Sequence, residues 1–315
     1  MSKNILLIPH IQIQNANALS SPYTIGFPAM TAWMGAVHAL QRNLKQIQEA
    51  KNPDCFNDLI FHSMAVISHD IDLQTYKGNG DYVHSIIGTG NPLDKNGDRS
   101  SFIEEARCHL KVSLVIEYSC EKDQELSEWV DQFINGKMKI AGGDILSSRP
   151  SQTLQINSLE KHNRLINQLM PGFCLIERRD LMLQSMQNGN DAMDALLDFQ
   201  KINHRCQVDE NEKVTWISQR KEKGWIVPIA TGFYGVSELG KAENQRDPDT
   251  QHRFAESLVT LGEFKMPYRF ENLDEILWHY HFDQENNLYL CQQNTYLESS
   301  NLNEKILDKN QSNYI

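Results

Sequence analysis

The order of predicted elements in residues 1–146 constrains the fold more than any other feature of this sequence. In the run at 110–118 every second residue is apolar, which predicts a strand with one buried face. In 30–47 the apolar residues are spaced by threes and fours, which predicts an amphipathic helix. Similar patterns complete the order strand, helix, strand, strand, helix, strand. The sequence therefore predicts an α+β, ferredoxin-like domain whose helices cover one face of a sheet and leave the other free for a ligand.

The second half of the sequence is less regular. Apolar patterns within 147–297 predict helices near 159–169, 191–203 and 251–262. Strand-like segments lie between them, and "LWHYHF" and "LYLCQQ", joined by "DQENN", predict a hairpin. We expect this region to be rich in strands and to pack on the core domain. We expect the polar tail at 298–315 to be loosely held.

The bulk composition is that of an ordinary soluble protein. The net charge of −11 and the pI of about 5.5 argue against a free-standing nucleic-acid binder, although a local basic groove or basic neighbouring subunits would be compatible with them. The six cysteines include no C-x-x-C pair, so we expect reduced thiols. The apolar run Ile5–Ile8 is too short for a signal sequence or a membrane span. We therefore expect a cytoplasmic protein with no membrane contact.

Two pairs of residues have a spacing that metal ligands can use. His279 and His281 are two residues apart, as are His204 and Cys206, so the members of each pair would share one face of a strand. Neither pair has a companion at the spacing of a structural zinc site, which normally has four ligands. The sequence therefore predicts no metal and no cofactor.

The sequence contains no established catalytic motif, because G-x-S-x-G, H-E-x-x-H and a P-loop lysine are all missing. His10 and His38 leave one alternative open, since two histidines can cleave RNA by acid–base catalysis without a metal. Histidines on the polar faces of a strand and a helix are also common. We therefore expect no catalytic activity, with a metal-independent endoribonuclease as the alternative.

A polar turn joins the first strand to the first helix. Its uncharged, hydrogen-bonding side chains are Gln14, Asn15, Asn17, Ser20 and Ser21. They either satisfy the backbone of the turn itself or read a ligand. Farther along, "AGGD" at 141–144 places two glycines inside a strand-like run, which often marks a bulge or the close approach of another backbone.

Several longer segments resemble one known family. They are "QNANALSSPYTIGFP" with the helix "AMTAWMGAVHALQRNL", the "IAGG" at 140–143, "LMPGF", "GWIVPI" and "RDPDTQHRFAESLVTLGEF". These segments follow one another in matching order over residues 5–264. Together they resemble the 5′-handle-binding RAMP subunit of the type I-F CRISPR surveillance complex, which is also called the Csy complex.

The resemblance implies a fold, a role and a set of partners. The fold is a modified ferredoxin-like (RRM-like, RAMP) domain at 1–146, with an inserted thumb-like region and a β-rich C-terminal segment at 147–297. The role is non-catalytic, namely to hold the 5′ handle of the guide RNA for antiviral defence. The partners are the guide RNA, the large subunit, the adjacent backbone subunit and, through the assembled complex, target DNA.

For the side chains of the polar turn, the resemblance favours contact with a ligand over hydrogen bonds to the turn's own backbone. Gln14, Asn15 and Asn17 would then read bases or sugars of the handle. The backbone of Gly142 and Gly143 would let the RNA approach closely.

The same implication extends to basic and aromatic residues in the rest of the chain. Arg149, Arg246 and Arg253 would contact phosphate groups. Phe233 or Tyr234 in "TGFYGV" would stack on a base.

Overall fold

The computed structural model describes residues 2–47, 56–87, 92–98, 105–136, 138–208, 213–245, 247 and 249–293. The fold is α+β, as the sequence predicts. The described helices are α1 (Met30–Lys45), α2 (Leu126–Gly136), α3 (Leu159–Gln168), α4 (Arg179–Gln187) and α5 (Ala192–Gln200). The described strands are β1 (Lys3–Asn17), β2 (Leu19–Ser21), β3 (Thr24–Ile25), β4 (Ile60–Leu73), β5 (Thr75–Tyr76), β6 (Ser85–Ile86), β7 (Arg107–Ser119), β8 (Lys139–Ile140), β9 (Gly143–Ser147), β10 (Gln152–Ile156), β11 (Phe173–Glu177), β12 (Asn203–Val208), β13 (Val214–Gln219), β14 (Trp225–Gly235), β15 (Ala255–Lys265), β16 (Trp278–Asp283) and β17 (Leu288–Gln293).

Most of the described strands belong to one large antiparallel sheet. Its order is β11-β15-β14-β17-β16-β4-β7-β1-β9-β8, and β10 pairs with the first residues of β1. Strand β11 pairs with β4 as well as with β15, so β4, β16, β17, β14, β15 and β11 form a closed ring. The remaining pairs, β2–β3, β5–β6 and β12–β13, are separate hairpins.

The predicted N-terminal elements occupy the middle and one end of this sheet. Strands β4, β7, β1 and β9 lie side by side, while α1 lies on the path from β1 to β4 and α2 on the path from β7 to β9. The apolar stripe of α1, which includes Met30, Trp33 and Leu40, is fully buried against one sheet face. The Trp33 indole N–H donates to the Pro28 carbonyl at 3.2 Å, so this buried donor is satisfied.

The opposite face of the sheet is covered over only part of its area by the described chain. Ile5 and Leu7 of β1 pack there with Leu165 of α3 and Ile276, which follows two short 3-10 helices, Pro267–Arg269 and Leu273–Glu275. The expectation that this whole face is free is therefore wrong for the half near Ile5. Beyond Pro9 the same face carries polar side chains.

The structure corrects two local predictions from the sequence and adds one helix that was not predicted. The segment 251–262 is not a helix, since it contributes to β15, which pairs with β14 and β11. Strand pairing on both sides outweighs the local helical pattern there. The run around "AGGD" is a β8–β9 hairpin rather than one strand, because Ala141 and Gly142 have φ of 50° and 74° and form its two-residue turn. Helix α4 was not predicted, although its buried Leu181, Met182 and Ser185 have helical spacing.

The second half of the chain is joined to the first through the sheet. Strand β10 pairs with β1 and β11 pairs with β4. The division into 1–146, 147–297 and 298–315 therefore stays a prediction, and the tail at 298–315 lies outside the described residues.

Candidate nucleic-acid interface

Two bulges in β1 decide which of its side chains reach the open half of the sheet. The pairing of β1 with β7 shifts between Ile8 and Ile11 and again between Ile13 and Ala16. His10 and Asn15, at these shifts, have φ of 52° and 57°. Each bulge inserts one residue into β1. The residues of β1 that face α1 therefore have even numbers up to Ile8, odd numbers at Ile11 and Ile13, and even numbers again from Ala16. As a result, the polar residues between the bulges point away from α1.

These polar side chains form a surface that we call the polar face, defined by Gln12, Gln14, Asp70, His109 and Lys111. In the strand ladder Gln12 is opposite Lys111, and Lys111 is opposite Asp70. These five residues, together with Ile13, Leu110 and Leu146, line a shallow cavity of about 340 Å³. The polar face thus carries amide, imidazole, ammonium and carboxylate groups within one open surface.

A second cavity, which we call the turn groove, lies beside the second bulge and has a volume of about 710 Å³. Its lining includes Asn17, Ser20, Ala29, Ala32, Arg107 and Gly142. At its wall the first turn of α1 has neither a capping side chain nor an acidic residue. Free N–H groups at a helix start carry partial positive charge, which favours an anionic ligand.

Gly142 in the β8–β9 turn and Gly143 at the start of β9 have different surroundings. A β-carbon at Gly143 would lie 2.8 Å from both the Ala16 nitrogen and the Gln14 oxygen, so β1 itself requires a glycine there. A β-carbon at Gly142 would meet nothing within 4 Å. Gly142 is exposed and lines the turn groove, so its backbone is the one that a ligand can approach.

The amides of the polar turn also divide by their contacts. The Asn17 side chain closes its own turn, donating to the Leu19 carbonyl at 3.0 Å and accepting the Leu19 N–H at 3.1 Å. Asn15 Oδ1 accepts from the Gln74 amide at 2.7 Å. Within the described chain the Gln14 side chain makes no hydrogen bond, and it is exposed on the polar face. Gln14 is therefore the amide best placed to read a ligand.

The serines of the turn hold its hairpin together. The Ser20 and Ser21 hydroxyls lie 2.9 and 2.7 Å from the Thr24 hydroxyl, and Ser21 Oγ also accepts the Tyr23 N–H at 3.1 Å. These contacts belong to the β2–β3 turn rather than to a ligand site.

The structure brings Gln14, Asn15, Asn17, Gly142 and Gly143 together at the second bulge of β1. The exposed Arg149 lies at the other bulge, where its backbone N–H donates to the Pro9 carbonyl at 3.0 Å.

The remaining predicted site residues do not join this cluster. Phe233 and Tyr234 are partly exposed near the end of β14, which is separated from β1 in the sheet by β17, β16, β4 and β7. The Arg253 guanidinium is held there, since it packs over Gly235 and donates to Asn287 Oδ1 at 2.6 Å. Arg246 lies outside the described residues.

His10 and His38 are also kept apart. His10 packs against His69 on the face opposite α1, whereas His38 lies on α1 and lines a cavity with Tyr280 and Tyr289. Burial and the nearby His69, Arg149 and Lys111 lower the pKa of His10 to about 4. The two histidines therefore do not share a site in which one could act as acid and the other as base.

Sequence reasoning missed Lys111, His109 and His69. The signal for the first two was the alternation in β7, because His109 and Lys111 occupy the positions between Cys108, Leu110 and Val112. His69 gave no such signal, since its position depends on an irregularity in the β4–β7 pairing between Ser68 and Asp70.

In the described ranges, no group of three or more His, Cys, Asp or Glu side chains is arranged to hold a metal ion. None of the described helices combines the length and the apolar character needed to cross a membrane.

Comparison with known proteins identifies the family. The family model for "CRISPR-associated protein (Cas_Csy2)" matches residues 6–291. The "CRISPR-associated protein Csy2" of Pseudomonas aeruginosa (strain UCBPP-PA14) is 32% identical over an alignment of 317 positions, which covers 90% of this chain and 94% of that protein. Both findings confirm the resemblance seen in the sequence. The chain belongs to the Csy2 family of CRISPR-associated proteins.

Proposed function

We propose that this protein is a non-catalytic subunit of a type I-F CRISPR surveillance (Csy) complex and that it binds the 5′ handle of the guide RNA. The observation that carries the proposal is that two cavities flank the second bulge of β1, since Gln14 lines the polar face just before Asn15 and Asn17 lines the turn groove just after it. The Gln14 amide, which has no hydrogen bond within the described chain, and the backbone of Gly142 are both exposed there. Amide and backbone groups can read the edges of unstacked bases, which is how proteins recognise single-stranded RNA.

The proposed fold is a modified ferredoxin-like (RAMP) domain. The order β4-β7-β1-β9, with α1 and α2 on the connections, supports it. The β12–β13 hairpin is the candidate for the thumb-like region, because it pairs with no other described strand and most of its side chains are exposed.

The proposed partners are the large subunit, the adjacent backbone subunit and, through the assembled complex, target DNA. Exposed aromatic residues support a role in an assembly. Phe233, Tyr289 and Phe282 follow one another across β14, β17 and β16, and each is at least 38% exposed. Neighbouring exposed apolar side chains are typical of surfaces that a partner covers. The net charge of −11 also suits a subunit whose neighbours supply positive charge.

A non-catalytic role is favoured over the endoribonuclease. His10 and His38 lie on different faces of the sheet, and a His10 pKa of about 4 leaves this imidazole almost fully neutral near pH 7. A neutral imidazole of such low basicity is a poor proton donor or acceptor at that pH.

Co-expression with the large subunit and a type I-F guide RNA tests the proposal. We expect a complex that co-elutes in size exclusion, and we expect it to weaken when the handle is scrambled and the spacer is kept. Equal assembly on any handle sequence would contradict handle binding. Incubation of the purified chain with repeat RNA in EDTA tests the alternative, a metal-independent endoribonuclease. Cleavage of the RNA by the wild type and its loss in His10→Ala would establish that alternative.

A further inference from the structure

His10 and His69 form a fixed pair at the first bulge of β1. Their ring centroids are 4.3 Å apart and their planes are inclined by 32°. His69 Nδ1 lies 2.6 Å from the Pro171 carbonyl oxygen, which can only accept, so this nitrogen carries the proton. His69 Nε2 is then free to accept from the Ser113 hydroxyl at 2.7 Å, and the Ser113 oxygen accepts the His10 backbone N–H at 3.0 Å.

One ring nitrogen of His10 is left without a hydrogen bond in the described chain. This nitrogen, Nδ1, is buried. The backbone of His10 also adopts φ of 52°, which is uncommon for a residue other than glycine. Strained backbone and unpaired polar atoms concentrate where a protein binds a ligand.

Two cationic side chains flank the pair. Lys111 is two residues before Ser113 on the same face of β7, which places it about 7 Å along the strand. The backbone N–H of Arg149 donates to the Pro9 carbonyl beside His10, and after burial the Arg149 charge is among the causes that lower the pKa values of His10 and His69. Neither cation forms an ion pair with any described residue, although most of the protein's charge is negative.

The strands packed there carry three carboxylates on the same side of the sheet. Asp70 and Asp72 of β4 are opposite Lys111 and His109 in the ladder, and Asp144 of β9 is opposite Gln14 and forms an ion pair with Lys139. After burial, the charges of Lys111 and Arg149 are among the causes that lower the pKa values of both imidazoles. The first bulge of β1 therefore places two cationic side chains near the His10–His69 pair, and Asp70 is opposite one of them in the ladder. An anion between the cations would relieve their repulsion.

We propose that Lys111 and Arg149, with the His10–His69 pair between them, bind a phosphate group of the RNA backbone. The inference rests on the proposed function for the identity of the RNA and assigns one phosphate of that RNA to this corner. A bound phosphate favours the protonated imidazole, so RNA binding and proton uptake by the pair are linked.

The salt dependence of RNA affinity tests the two cations. The full chain, purified with the large subunit, is titrated with handle RNA at several salt concentrations, as wild type and with Lys111→Gln, Arg149→Gln or both. The slope of log affinity against log salt is negative. We expect its magnitude to fall by about 0.7 in each single variant and by about 1.4 in the double variant. Arg42→Gln on α1, on the opposite face, is the matched control and should leave the slope unchanged.

The histidine pair supplies a second, local readout. With isotope-labelled histidine, the imidazole signals of His10 and His69 are followed against pH in the free protein, with handle RNA and with inorganic phosphate. We expect RNA to raise both pKa values and inorganic phosphate to raise them only at far higher concentration. Assigning the signals requires His10→Gln and His69→Gln variants.

The outcomes separate this inference from the function on which it rests. If the wild type binds the handle but both cation variants keep its slope and its imidazole pKa values, the phosphate site is wrong. If inorganic phosphate raises the imidazole pKa values and handle RNA does not, the site takes free phosphate and the assignment to RNA is wrong. If the wild type does not distinguish the handle from other RNA, the proposed function fails instead.

Discussion

The backbones of Gly143 and Ala16 approach so closely that a β-carbon at position 143 would lie 2.8 Å from the Ala16 nitrogen. The β8–β9 turn is thereby fixed against the second bulge of β1, which positions the open backbone of Gly142 next to Gln14 and Asn17.

The first prediction concerns these two glycines. Gly143→Ala must displace β1 and should lower the free energy of unfolding by about 1–3 kcal/mol. Gly142→Ala meets no neighbour but retains an unfavourable φ of 74°, so its cost should be about 1 kcal/mol. Urea unfolding of both variants measures the difference. An equal or smaller loss for Gly143→Ala would contradict the close approach.

The second prediction separates the amides that hold the turn from the amide that reads a ligand. Asn17→Ala removes the two local hydrogen bonds and should cost about 1 kcal/mol of stability. Gln14→Ala should change stability by less than about 0.5 kcal/mol, because its side chain is exposed and makes no hydrogen bond in the described chain.

The affinity for handle RNA should depend more on Gln14 than on Asn17. Gln14→Ala should weaken binding of handle RNA several-fold in the reconstituted complex. The exposed Gln187 at the end of α4 offers a matched control, and Gln187→Ala should have no effect. If Gln14→Ala binds the handle as tightly as the control variant does, Gln14 is not a reading residue.

The third prediction follows from the lowered pKa of His10. Its pKa in the folded state is about 4, below the ordinary 6.5, so the unfolded chain binds the proton more tightly. The stability that this neutral imidazole contributes is fully present above pH 6.5 and is lost as the pH falls through 4. His10→Gln should therefore lose less stability than the wild type between pH 7 and pH 4.5. Identical pH profiles in chemical denaturation would contradict the lowered pKa.

The fourth prediction concerns the ring of strands. Trp278 of β16 is fully buried, is opposite Met64 of β4, and donates its indole N–H to the Leu175 carbonyl of β11 at 2.9 Å. Trp278→Phe leaves that buried carbonyl without its donor and should cost about 1–3 kcal/mol. Trp278→Ala also opens a cavity and should cost about 3–5 kcal/mol. Thermal or urea unfolding distinguishes the two, and two equal small losses would show that Trp278 does not connect the ring.

Local patterns were sufficient for the elements whose apolar residues repeat regularly. The stripe containing Trp33 predicted α1, and the alternation around Leu114 predicted β7. The bulges at His10 and Asn15 could not be predicted, because they depend on the partner strand rather than on a local pattern. Pairing between distant segments also turned 251–262 into part of a strand.

The candidate site was predictable only in part, for the same reason. The polar turn and the two glycines stood out in the sequence, and the β1–β9 pairing brings them together. Lys111 and His69 become neighbours of His10 only through the register of β4, β7 and β1, which the sequence does not specify. The resemblance implied that Arg253 contacts phosphate, but its guanidinium donates to Asn287 in the folded chain.

Photo-crosslinking of the assembled complex tests the central claim most directly. A guide RNA carrying 4-thiouridine at single positions of the handle is irradiated in the complex, and the crosslinked peptides of this chain are identified by mass spectrometry. We predict crosslinks within 10–17, 107–111 and 141–149, which contain the bulges of β1, the polar face and the β8–β9 turn. Handle crosslinks confined to other subunits, or to the α3–α5 region of this chain, would contradict the account.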